Sequence, residues 1–131
     1  MNPQNKWLKV TGFVLHALMA AVFVLAGAMK VAGFMPADQV EKMTEWGIGD
    51  KLVLIGVGEL ITAVLLILPW TSPLGTLVTS GLWGGIICFN MSHGQDFIVP
   101  SVLLAVTWIA GYWRGSVPLL FLNTSKVAPP G

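Results

Sequence analysis

Four long apolar runs, each 17 to 20 residues, divide the chain and set the limits on its fold. With their flanking residues they predict helices over about 10–30, 51–69, 74–92 and 97–114. At about 1.5 Å per residue, each helix is close to the length that crosses a hydrocarbon core of about 30 Å. Only 10% of the 131 residues are charged, against about 25% in a typical soluble domain. We therefore expect an all-α polytopic membrane protein, folded as an antiparallel four-helix transmembrane bundle.

The connections between the runs are short, apart from the one that follows the first run. Within that connection, residues 36–46 place apolar and charged side chains on different faces, which predicts a short amphipathic helix at the membrane surface. Before the last run, Asp96 is placed to cap the helix, and Pro100 falls in the first turn, where proline is tolerated. We treat residues 1–131 as one integral membrane domain with a tail over 115–131.

The basic residues give a thin margin for the orientation in the membrane. With four spans both termini share one side, and the positive-inside rule places the more basic side in the cytoplasm. The terminal side carries Lys6, Lys9, Arg114 and Lys126, and the other side carries Lys30, Lys42 and Lys51. The first run also resembles a signal peptide, but it is longer than the usual apolar core of one. We expect a retained span, with both termini in the cytoplasm.

Glu59 is the one acidic residue inside an apolar run. A charge at the centre of a bilayer costs about 2.5–3.5 kcal/mol on insertion-based scales, and such residues commonly mark functional sites. The predicted topology brings Lys30, Asn90 and His93 into the same leaflet as Glu59. We therefore expect these four residues to form a polar ligand-binding cluster. The structural alternative is a protonated Glu59 that only hydrogen-bonds a neighbouring helix, while Lys30 anchors its span at the interface.

Composition and residue spacing argue against several classes of function. The two histidines, His16 and His93, fall at opposite depths, so they do not suit a haem with two histidine ligands, and we expect His16 to be packed and hydrogen-bonded. No spacing of ligand-type residues supports a metal site. The net charge of +1 gives no electrostatic basis for a nucleic-acid partner. Cys88 is the only cysteine, so the chain can form neither an intrachain disulfide nor a CxxC redox site.

The third run has a face of small residues. Gly81, Gly84, Gly85 and Cys88 recur at helical spacing, and Gly81 with Gly85 forms a GxxxG pair. Such faces let helices approach closely. We expect Gly81 and Gly85 to be helix-packing residues, either inside the bundle or between copies of the chain in a homo-oligomer.

Residues 22–34, 46–69 and 88–96 resemble the DoxX-like family of small four-span membrane proteins, and the resemblance covers roughly residues 10–115. The shared pattern is a lysine that closes the first span, an amphipathic link, a glutamate in the second span and a polar end to the third. Members often have an arginine early in the first span, where this chain has Thr11 or His16. The resemblance implies a four-helix bundle in the bacterial inner membrane. It also implies an association with membrane redox systems, because the family takes its name from a small subunit of a thiosulfate:quinone oxidoreductase.

Three functions are consistent with these observations. The first, which the resemblance favours, is an accessory subunit of a membrane redox complex that holds a larger redox protein or a quinone near Glu59. The second is a standalone binder or transporter of a small lipophilic molecule, with Glu59 as the proton site. The third is an assembly factor without a ligand. A self-sufficient enzyme is the reading that the sequence supports least, because the chain carries no nucleotide fingerprint, cysteine pair or metal signature.

Overall fold

The computed structural model describes residues 5–115, and within this range the chain is helical with no strand, which confirms the all-α prediction. The α-helices are α1 Lys6–Ala32, α2 Ala37–Glu45, α3 Leu52–Ile67, α4 Ser72–Ser92 and α5 Ile98–Arg114, and a 3₁₀ turn over Gly49–Lys51 precedes α3. The first helix begins at Lys6, earlier than the predicted start near residue 10. The predicted tail beyond residue 115 lies outside the described residues.

Local sequence signals set several of the helix ends. Gly33 ends α1 in the left-handed conformation, with φ 77°, and the N–H that follows it donates to the Met29 carbonyl at 2.9 Å. This is the Schellman pattern, for which glycine is the favoured residue. Asp96, two residues before α5, caps its first turn, because its carboxylate accepts the backbone N–H groups of Ile98 and Val99 at 3.1 and 3.3 Å. The predicted cap is therefore present.

The four longer helices pack side by side in a ring. The α1 helix contacts α3 and α5, and α4 contacts the same two helices. Gly27, near the end of α1, lies against Gly56, near the start of α3, whereas Gly12, near the start of α1, lies against Ala110, near the end of α5. The α1 helix therefore runs in the opposite direction to both of its neighbours.

Apolar side chains are distributed over the surface as well as in the core. Many large ones are exposed, including Leu18, Leu25 and Leu54, and the buried apolar cluster is small and centred on Phe23 and Trp83. By length and apolar composition, α1 and α4 can each cross a membrane, and α5 is a shorter apolar helix. An apolar exterior of this extent suits lipid as the surrounding solvent.

The α2 helix lies over the end of α4. None of its residues is buried, and the contact with α4 is made by Trp46, which directly follows the helix. The Trp46 ring lies 5.6 Å from the Phe89 ring and 4.9 Å from the His93 ring, measured between centroids. Lys42 of α2 donates to the side-chain oxygen of Gln95 at 3.3 Å. This covered end of the ring is the one where the predicted cluster lies.

Candidate functional site

Lys30 and Glu59 form an ion pair between α1 and α3. The Lys30 Nζ donates to both carboxylate oxygens of Glu59, at 3.1 Å to Oε1 and 2.9 Å to Oε2. Only 12% of the Lys30 side chain and 9% of the Glu59 side chain are exposed. A buried charge without a partner is strongly destabilising, so each of these residues makes the other tolerable between the helices. Lys30 is thus one of the partners that the sequence predicted for Glu59.

Two glycines set the distance at which these side chains meet. Gly27 precedes Lys30 by three residues, about one helical turn, and Gly56 precedes Glu59 by the same interval. A Cβ on Gly27 would lie 2.7 Å from the carbonyl oxygen of Gly56, and a Cβ on Gly56 would lie 2.8 Å from that of Gly27. The backbones therefore touch here, and the lysine reaches across the seam. Sequence reasoning did not identify this contact between the two glycines, although a glycine one turn before each charge was a visible signal.

The ion pair lines a cavity of about 440 Å³, here called the ion-pair cavity. Its other walls come from α3, from α4, and from α2 with the segment that follows it: Met43, Trp46, Ile48, Ile55, Gly81, Leu82, Gly85, Ile86, Phe89 and Asn90. Apart from Lys30, Glu59 and Asn90 these walls are mainly apolar. A cavity of about 300–1,000 Å³ with apolar walls and a few converging polar groups is typical of small-molecule sites.

His93 is the one predicted cluster residue that does not line the ion-pair cavity. Its ring centroid lies 4.9 Å from that of Trp46 and 4.3 Å from that of Phe89. Its Nδ1 lies 2.9 Å from the Phe89 carbonyl oxygen, and because a carbonyl can only accept, this nitrogen carries the proton. His93 thus packs against Trp46 and Phe89, which line the cavity, without lining it itself. Asn90 lines the cavity and donates to the Asp96 carbonyl at 2.6 Å.

Gly81 and Gly85 border the ion-pair cavity and touch no other helix of the described chain. A Cβ at either position would have no neighbouring heavy atom within 4 Å outside its own stretch of helix, and the same holds for Gly84. Within the chain these glycines therefore form a cavity wall and an open helix face. Their predicted packing role remains only for a contact with a second copy or a partner helix.

A second polar cluster, which sequence reasoning missed, lies at the opposite end of the ring. The Arg114 guanidinium donates to the Leu66 carbonyl and, at 2.7 Å, to the Ile67 carbonyl at the end of α3. It also lies 3.1 Å from Nδ1 of His16. The sequence showed Arg114 only as a charge that closes the last run, and a lone terminal arginine carries no signal for the carbonyls that it reaches.

The partners of His16 fix its tautomer. Arg114 can only donate, so the His16 Nδ1 accepts, whereas the Thr107 carbonyl, 3.0 Å from Nε2, can only accept. The proton of the neutral ring therefore lies on Nε2. His16 is fully buried, which confirms the expectation of a packed, hydrogen-bonded histidine. Through His16 and the α3 carbonyls, Arg114 fastens α5 to α1 and α3 and satisfies carbonyls that have no partner within their own helix.

The groups around the ion-pair cavity suit binding and positioning. Lys30 and Asn90 offer N–H donors and Glu59 offers acceptor oxygens, so a polar head group can be held by several bonds. Among residues 5–115, no three His, Cys, Asp or Glu side chains are grouped so that they could hold a metal ion. The cavity therefore combines hydrogen-bond donors and acceptors at one wall with mainly apolar side chains at the others.

The model of the DoxX-like family matches residues 14–110 of the chain. No curated protein and no solved structure matches it. The matched range contains every residue that lines the ion-pair cavity. It also contains His16, and it stops just short of Arg114.

Proposed function

The chain belongs to the DoxX-like family, and from that premise and the geometry of the ion-pair cavity we propose that it binds a small lipophilic molecule inside the membrane. The observation that carries this proposal is a buried ion pair, Lys30 with Glu59, at the wall of a largely apolar cavity of about 440 Å³. An ion pair that only fastened two helices would need no such space beside it. Placed at a cavity wall, it can exchange some of its mutual bonds for bonds to a ligand.

The cavity walls favour a ligand with oxygen acceptors at one end and an apolar body. The Lys30 ammonium has three donors, and its two bonds to Glu59 leave one for a ligand oxygen. The Asn90 side chain supplies a further polar group at the same wall. A quinone combines carbonyl acceptors with an apolar tail, so a quinone is the cofactor that we propose for this site.

We propose that α1, α3, α4 and α5 all cross the membrane as an antiparallel four-span bundle, with α2 on the surface. The α3 and α5 helices have 16 and 17 residues, or about 24 and 26 Å at about 1.5 Å per residue. They are slightly shorter than a hydrocarbon core of about 30 Å, a mismatch that bilayers absorb by local thinning. In this arrangement both termini face the cytoplasm of the bacterial inner membrane.

Single-cysteine labelling tests this topology. In a Cys88→Ala background, Asn5→Cys and Gly115→Cys should be labelled only from the cytoplasmic side, and Asp38→Cys only from the other side. Labelling of Asn5→Cys and Gly115→Cys from different sides would mean an odd number of spans and would contradict the four-span arrangement.

Titration of a short-chain quinone into the full chain in nanodiscs tests the binding proposal. The wild type should bind saturably, and Leu82→Trp, which fills the cavity, should abolish binding. Glu59→Gln should weaken it several-fold, because the Lys30 ammonium, which donates to the quinone carbonyl, loses the carboxylate that holds it at the cavity wall. Glu41→Gln, on the exposed face of α2, is the matched control and should bind as the wild type does. Equal affinity of Leu82→Trp and the wild type would move the ligand out of this cavity and contradict the proposal.

A second candidate function is that of an accessory subunit in a larger quinone-linked membrane redox complex. The supporting observation is the open face of α4 at Gly81, Gly84 and Gly85, which no helix of the described chain covers and which suits close approach by a partner helix. Native mass spectrometry after gentle extraction should then show a redox protein bound to this chain. The substitution Gly84→Phe should release that partner without closing the cavity.

Extraction of bare protomers or homo-oligomers would contradict the subunit proposal and leave the binding proposal in place. A chain that keeps a protein partner but binds no ligand would instead match an assembly factor.

A further inference from the structure

Two further cavities adjoin each other and are distinct from the ion-pair cavity. The outer one, about 560 Å³, lies between α2, α4 and the start of α5. The inner one, about 200 Å³, lies between α1 and α5. Trp83 and Leu103 line both cavities, so the two spaces adjoin at these side chains. We call the two together the interface groove.

The interface groove changes from polar to apolar along its length. Its mouth is lined by Gln39, Lys42, Gln95 and Asp96, whereas the inner cavity is lined by apolar side chains alone. From Asp96 to Val106 the groove follows ten residues of chain, mostly α5, which is about 15 Å at about 1.5 Å per residue. A polar mouth above an apolar slot of this length suits an amphiphile that enters with its head at the mouth.

Two opposite charges stand at this mouth. Lys42 donates to Gln95 at 3.3 Å, so the ammonium keeps donors for an anionic group. Asp96 accepts two backbone N–H groups of α5, and its carboxylate retains acceptor positions and its negative charge. A mouth with one cation and one carboxylate is complementary to a head group that itself carries both signs.

We propose that the interface groove binds one phospholipid with a zwitterionic head group. The phosphate lies on Lys42, the primary ammonium lies on Asp96, and one acyl chain passes Trp83 into the inner cavity. The indole Nε1 of Trp83 is buried without a hydrogen-bond partner among the described residues. This nitrogen is enclosed by protein, whereas other atoms of Trp83 line both cavities, so the acyl chain packs against the Trp83 side chain.

This site is distinct from the proposed ligand site. The interface groove and the ion-pair cavity share a wall that includes Trp46 and Asn90, but Lys30 and Glu59 line only the ion-pair cavity. The substitution Glu59→Gln should therefore leave phospholipid binding unchanged. Success or failure of the quinone titration does not decide the fate of this proposal.

Native mass spectrometry of the full chain tests the proposal, after reconstitution with equal amounts of phosphatidylethanolamine and phosphatidylglycerol. We expect one phosphatidylethanolamine retained per chain, in several-fold excess over phosphatidylglycerol, which has no ammonium. Lys42→Glu should reduce this retention several-fold. Its matched control, Lys51→Glu, changes another exposed lysine that lies outside the groove and should retain the lipid as the wild type does.

A second pair of variants probes the inner cavity, away from the charges. Val106→Trp fills the space that the acyl chain would occupy, whereas Val102→Trp adds the same bulk on the exposed face of α5. The first should lose the lipid and the second should keep it, with equal helical content by circular dichroism. Equal retention of both lipids, or retention in Lys42→Glu or Val106→Trp equal to the wild type, would overturn the proposal.

Discussion

Two polar clusters lie at opposite ends of the helix ring, and they differ in what surrounds them. At one end Lys30 pairs with Glu59, side chain to side chain, along the wall of a cavity. At the other end Arg114 bonds mainly to backbone carbonyls, those of Leu66 and Ile67. The first cluster borders space, whereas the second fills the gap between three helices.

The difference shows how to read a charge in an apolar protein. The last carbonyls of a helix need hydrogen-bond donors, which water supplies in a soluble protein. An arginine that donates to them in an apolar protein therefore has a structural role. Within the described part of the chain, Lys30 and Glu59 bond only to each other, so neither side chain satisfies a backbone N–H or C=O group. Their burial is then explained either by helix fastening or by a ligand. The neighbouring cavity favours the ligand, and substitutions at the two ends can separate these roles.

The largest expected effect is that of Lys30→Met. It leaves Glu59 buried without its partner, and breaking a buried pair in this way destabilises a protein by about 3–5 kcal/mol. Unfolding of the full chain in bicelles measures the loss. The double variant Lys30→Met/Glu59→Leu should recover most of the stability, since apolar replacement of a whole pair is commonly near neutral. It should still fail to bind the quinone.

That double variant is the sharpest test of the contrast between the ends. If it recovered both stability and binding, the ion pair would be a fastener like Arg114, and the ligand proposal would fail.

The next effect concerns the glycines that bring α1 and α3 together. Gly27→Leu forces a side chain against the Gly56 carbonyl, and overpacking of this kind costs about 1–3 kcal/mol. Gly58→Leu is the matched control, because a Cβ there meets nothing within 4 Å. The first variant should unfold more readily and lose quinone binding, and the second should do neither. Similar stabilities for the two would show that the close approach does not set the ion pair.

Arg114→Met should destabilise the opposite end without touching the ligand. It leaves the Leu66 and Ile67 carbonyls and the His16 Nδ1 without their donor, and an unsatisfied buried group costs about 1–3 kcal/mol. Quinone affinity, measured in the same nanodiscs, should stay at the wild-type value. A loss of affinity larger than the loss of stability would tie the two ends together and remove the distinction drawn here.

The sequence predicted the helices better than it predicted their contacts. Apolar runs of membrane length fix where helices lie, because lipid leaves the backbone no other way to satisfy its polar groups. Glu59 stood out for the same reason, and its pairing with Lys30 follows from lysine closing the neighbouring run. His93, predicted in the same cluster, follows the end of α4, where ring contacts with Trp46 and Phe89 and a bond to the Phe89 carbonyl hold it outside the cavity lining.

What the sequence could not predict depends on the distance between helices. The close approach at Gly27 and Gly56 and the open face at Gly81 and Gly85 use the same residue type in apolar helices. Only packing tells which glycines touch a neighbour. Arg114 likewise needed the end of α3 to be placed beside it before its role could be read.

The smallest expected effect concerns Thr107, which lies next to His16 in the cluster around Arg114. Thr107 contributes its carbonyl to His16, while the one proton of its hydroxyl is within reach of both the Leu103 carbonyl, at 2.7 Å, and the Met19 sulfur, at 3.0 Å. Thr107→Val keeps the carbonyl and the shape, so the stability should fall by only about 0.6 kcal/mol, the average for a side-chain hydrogen bond in a membrane protein. A loss as large as that of Arg114→Met would mean that the hydroxyl, through Met19, holds α1 in register. Several side chains, rather than Arg114 alone, would then hold the helices together at this end of the ring.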